Sequence, residues 1–120
     1  MMIEMKHVRQ IRGEGFRRWF TDDYFDLYMW YDHDKNEEPN GFQLCYGKID
    51  TDHALTWKKD HGFTHDGVDT GDYNPSEHRT PILVKDGLFP KTKIVKEFDH
   101  RSEKIDPVVR KFVLKKLKEF

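Results

Sequence analysis

The sequence predicts an α+β fold: an antiparallel meander sheet of about six strands over the N-terminal two-thirds, with two C-terminal helices packed on one face. Three observations carry this. The chain holds 9 Phe, 5 Tyr and 3 Trp but a single alanine, Ala54, a composition that favours sheet over helix bundle. Ten of those aromatic residues fall within 16–46, where apolar side chains recur at every second position. Beyond residue 90 the apolar spacing changes to the 3–4 residue repeat of a helix.

The central strand is 24–31. Phe25, Leu27, Met29 and Tyr31 form one row; Tyr24, Asp26, Tyr28 and Trp30 form the other. Phe42, Leu44 and Tyr46 repeat the alternation after Pro39-Asn40-Gly41, a composition suited to a turn with a positive φ. These two segments read as a central hairpin. Upstream, 3–12 and 16–21 read as a first hairpin around Gly13-Glu14-Gly15, although 3–12 alternates only loosely. Downstream, 49–52 is a polar turn, 53–60 a strand, His61-Gly62 a turn and 63–68 a returning strand. Residues 69–80 lack any hydrophobic pattern and read as a long surface loop, and 81–85 is a short apolar strand with a proline at its start.

Two helices are expected in the last third. Pro90 opens the first, over 89–98, with Ile94, Val95 and Phe98 on its apolar side. Asp106 is a good N-cap for the second, with Pro107 in its first turn. Val109, Phe112, Val113 and Leu117 then form one stripe, and Lys115, Lys116 and Lys118 suit the negative end of the helix dipole.

Composition bounds function. The 120 residues suit one domain, 1–120, and Val, Ile, Leu and Phe make up 29 of them, enough for a core. No run has the ~18 apolar residues of a membrane span, and the N-terminus lacks an apolar signal core. One cysteine, Cys45, excludes an intrachain disulfide, so a cytoplasmic protein is expected. Net charge is −1 but uneven: residues 1–18 carry +3, 22–77 carry −10 and 91–118 carry +6, ten basic against four acidic. The acidic middle argues against nucleic acid as a partner of the sheet.

No catalytic or cofactor motif is specific. Asp32-His33-Asp34-Lys35-Asn36 opens like a calcium loop, but Glu37 stands where glycine is needed and Gln43 where glutamate is needed, so a polar hairpin tip explains it. Four histidines, His53, His61, His65 and His78, lie among carboxylates. His61 and His65 sit about 13 Å apart on an extended strand, too far to share a metal without a bend. His65 and His78 with Asp66 or Asp69 are the metal candidates, for a divalent ion such as zinc in a hydrolase. Cys45 could take His53 or His65 as a base, but its mid-strand place predicts a buried, inert thiol.

The remaining signal is a surplus of rings. Two short helices cover one sheet face, which leaves Tyr and Trp side chains on the other for a ligand or a second copy. Arg18, Tyr28, Trp30, Trp57, His65 and Arg79 are the expected ligand-binding residues, completed by the 66–80 loop, with no cofactor. The leading expectation is a non-catalytic module for a small molecule or peptide. The alternatives are the metal-assisted hydrolase and a homodimer that self-associates through the sheet.

Overall fold

The computed structural model describes residues 1–10, 15–34, 36–47, 53–69, 82–85 and 89–120. Among them the alternating segments become β1 (Ile3–Glu4), β2 (Phe16–Thr21), β3 (Phe25–Tyr31), β4 (Gly41–Tyr46), β5 (His53–Lys58), β6 (Gly62–Asp69) and β7 (Ile82–Lys85). They form one antiparallel sheet in sequence order, so every pairing is local and the meander is as predicted. The helices α1 (Lys91–Arg101) and α2 (Pro107–Glu119) follow.

Short polar segments set the registers. At the β2–β3 turn the Asp22 carboxylate accepts from the N–H groups of Tyr24 and Phe25, at 2.8 and 2.7 Å. At the β3–β4 tip, Asp32 accepts from the Asn40 amide at 2.6 Å and Asp34 from the Asn36 N–H at 2.7 Å. Carboxylates that resembled calcium ligands therefore cap their own hairpin. Register then aligns Leu27 with Leu44 and Leu44 with Leu55.

That row is the core. Phe25, Leu27, Met29, Phe42, Leu44 and Leu55 are fully buried beneath Ile94 and Phe98 of α1 and Val109, Val113 and Leu117 of α2. Each such side chain contributes roughly 1.5–3 kcal/mol when removed from water. Phe25 meets Phe98 edge-on, with centroids 5.9 Å apart and planes at 74°. Asp106 caps α2 as expected, accepting from the Val108 N–H at 2.9 Å. The first helix begins at Lys91 rather than Phe89, because the Phe89 carbonyl accepts the Lys91 N–H at 2.8 Å in a tighter turn.

The first hairpin differs from expectation. Of the expected strand 3–12, the described residues 3–10 form a strand only at Ile3–Glu4, followed by one more backbone bond from Met5 to the Trp19 carbonyl at 2.8 Å; residues 11–14, with the expected Gly13-Glu14 turn, lie outside the described residues. His7, at φ +60°, then turns the chain out of the sheet. The Gln10 side-chain amide closes the gap: it donates to the Arg17 carbonyl and accepts from the Arg17 N–H, both at 2.8 Å. A side chain here replaces a strand residue, an exchange that alternation cannot reveal.

Candidate functional site

Strand parity decides which predicted residues share a face. Arg18 is paired with Met29, Trp57 with Phe42 and His65 with Leu55, so all three lie on the face covered by the helices. Tyr28 and Trp30 lie on the opposite face. The expected convergence of all six therefore does not occur. Arg79 and His78 fall outside the described residues, as does the 70–80 part of the expected loop, whereas residues 66–69 belong to β6.

Each residue on the helix side is held by neighbours. Arg18, only 5 % exposed, donates to both carboxylate oxygens of Glu4 at 2.8 Å and to Asp106 at 3.2 Å. The Glu4 carboxylate is the main cause of its raised pKa, against the opposing effect of burial. Trp57 packs edge-on against Phe112, with the Lys116 ammonium 4.4 Å from its ring centroid. His65 Nε2 lies 2.5 Å from the Tyr46 hydroxyl, and the two rings are parallel. Among the described residues, no three His, Cys, Asp or Glu side chains gather in a metal-binding group.

The other face, over β2–β4, carries Trp19, Tyr28 and Trp30, each partly buried. Trp19 pairs with Tyr28, and Arg17 with Trp30. Trp30 rests on Gly41: a Cβ there would meet its ring at 2.9 Å and the Trp57 carbonyl at 2.8 Å. Cys45, expected to be buried, is partly exposed on this face, 3.7 Å from the Gln43 side-chain oxygen. The strand alternation separates it from His53 and His65, the bases considered for it.

Sequence reasoning missed the wall of this site. The segment that leaves the sheet after Met5, running through Lys6, His7 and Arg9, borders a cavity of about 610 Å³ floored by Trp19, Tyr28, Trp30, Gln43 and Cys45. That volume lies within the range of ligand pockets, roughly 300–1,000 Å³. The missed signal is the positive charge of residues 1–18 beside the ring-rich strands. Within the cavity, burial pushes the Tyr28 phenol up to about 12, with further contributions from Asp26 and Cys45. Tyr28 is therefore a neutral hydroxyl at neutral pH. Arg17 donates to the Arg9 carbonyl at 2.6 Å, pinning the wall to β2.

Comparison of the chain with protein-family models, with curated proteins and with solved structures finds no match. No helix among the described residues is long and apolar enough to cross a membrane.

Proposed function

We propose that this protein is a non-catalytic binding module that holds a small molecule or short peptide in the cavity over β2–β4. The observation that carries this reading is the cavity itself: two tryptophans and a tyrosine form its floor on the face opposite α1 and α2, and the 5–9 segment walls it. Flat rings beside a few polar groups give area at little entropic cost and a means of orienting a ligand. Tyr28, Gln43 and Cys45 supply the polar atoms of the floor. The reading carries over Arg18, Tyr28 and Trp30 from the expected set, leaves out Trp57 and His65 on the helix side, and adds Arg17, Trp19, Gln43 and the N-terminal wall.

Self-association through the same face is the second reading. It would bring Lys6, Arg9 and Arg17 of two copies close together, a like-charge arrangement that disfavours pairing. Sedimentation at increasing concentration separates the two: a constant monomer mass removes the dimer. The binding reading is tested by screening small aromatic compounds for tryptophan quenching, then measuring alkylation of Cys45, the chain's one thiol. Compounds that quench are expected to slow alkylation several-fold. Quenching that leaves the Cys45 rate unchanged would place binding elsewhere and contradict the reading.

A further inference from the structure

We propose that the ligand of this cavity is a planar anion, an aromatic ring bearing a carboxylate, sulfonate or phosphate, with Arg17 as its charged anchor. The proposal rests on the binding reading above and adds the chemistry of the ligand.

Charge is the first argument. The chain has 22 acidic residues, yet among the described residues lining the cavity none is a carboxylate; Glu4 borders the adjoining hollow and is paired with Arg18. Lys6, His7, Arg9 and Arg17 all border it. Arg18 also contributes to the lining, but its guanidinium is committed to Glu4 and Asp106. Asp26, the carboxylate of the same strand row, is held by the Trp19 indole N–H at 3.0 Å and the Thr21 hydroxyl at 2.6 Å. Of two other concavities, the one around Lys58, Lys59, Asp32 and Asp60 mixes both signs, and the one along α2 around Arg110, Lys111, Lys115 and Lys118 is basic but has no aromatic ring among its lining residues.

The second argument is an unmet hydrogen bond. Among the described residues, the Arg17 Nε is the one buried side-chain nitrogen or oxygen without a hydrogen-bond partner. A buried donor without an acceptor is costly, and native structures seldom retain one without a reason. The same guanidinium is fixed at its other end by the Arg9 carbonyl. An oxyanion in the cavity supplies the missing acceptor and a charge-assisted bond once the Arg17 side chain turns its closed-off Nε toward it. The Tyr28 hydroxyl, neutral through physiological pH, is a further donor.

Planarity follows from the floor. Trp19 and Tyr28 lie nearly parallel, 17° apart, and the Trp30 ring lies so close to Gly41 that a Cβ there would meet it at 2.9 Å. Flat apolar surfaces beside a guanidinium suit an aromatic ring with an acidic substituent.

The test uses two dyes that share one ring system. 8-Anilinonaphthalene-1-sulfonate carries a sulfonate; N-phenyl-1-naphthylamine is the same scaffold without it. Each is titrated into the full chain, with the tryptophan indole N–H resonances reporting the place of binding. The sulfonate is expected to bind about tenfold more tightly than the neutral dye, and to lose that advantage in Arg17→Gln and in high salt. Arg17→Lys should keep part of it. Because Arg17→Gln also loses the bond that pins the wall, the comparison is the ratio of the two affinities within each variant, with the neutral dye reporting any change in the cavity itself. Equal affinity of both dyes, each moving Trp19 and Trp30, would overturn the anionic ligand and leave the binding module standing. A sulfonate preference that persists in Arg17→Gln would overturn the role of Arg17. If neither dye moves Trp19 or Trp30, the cavity reading falls and the proposal with it.

Discussion

Trp19 stacks on Tyr28 with ring centroids 5.9 Å apart and planes 17° from parallel, on the sheet face away from both helices. Their strands place the two residues opposite one another, so the contact follows from register. The Trp19 ring is held in place because its indole N–H donates to Asp26. One pair thus combines packing, orientation and a polar edge at the floor of the cavity.

The pair gives a pH prediction. Burial, then Asp26 and Cys45, holds the Tyr28 phenol at about 12, above its ordinary value of 10.0. Because the folded value is the higher one, the folded state keeps a proton that the unfolded state has lost. Stability is therefore unaffected below pH 10 and falls as pH rises from 10 toward 12. Urea denaturation across that window should show the chain losing stability relative to Tyr28→Phe. A constant difference between the two would mean that the phenol titrates normally.

The buried guanidinium of Arg18 predicts an asymmetry. Glu4 and Asp106 are 42 % and 33 % exposed, so losing Arg18 lets both return to water. Removing both carboxylates instead leaves a cation that is 5 % exposed with the Tyr31 hydroxyl 3.5 Å away. Glu4→Gln with Asp106→Asn should cost about 3–5 kcal/mol, and Arg18→Met roughly 1–2 kcal/mol. Asparagine retains N-cap capacity at position 106, so the comparison isolates charge. Equal losses in denaturant titrations would contradict the network.

Gly41 gives a third test. A methyl group there meets the Trp57 carbonyl at 2.8 Å and the Trp30 ring at 2.9 Å. Gly41→Ala should destabilise by roughly 1–3 kcal/mol. In a Trp30→Ala background the cost should shrink but persist, since the carbonyl contact remains. If the cost is the same in both backgrounds, Trp30 does not rest on Gly41.

The period-two rows of 24–31 and 42–46 stated their buried faces outright, and Asp106-Pro107 fixed the start of α2, because those signals are local. The site was less legible. Arg18, Trp57 and His65 were grouped with Tyr28 and Trp30 by chemical type, but the register of β2, β5 and β6 turns them toward the helices. Many rings also proved to belong to the core: Phe20, Phe25, Tyr31, Phe42 and Tyr46 are buried beneath α1 and α2 or beside them. The wall of the cavity was hidden for another reason. It depends on the positive φ of His7 and on the Gln10 amide standing in for a strand, neither of which has a periodic signature.

The central claim is that recognition belongs to the β2–β4 face, opposite the helices. Nitrogen-15 spectra of the three tryptophan indoles, recorded during titration with a compound that quenches fluorescence, test it most directly. Trp19 and Trp30 should shift together and saturably while Trp57, on the helix side, stays in place. A shift of Trp57 with Trp19 and Trp30 unmoved would contradict the account.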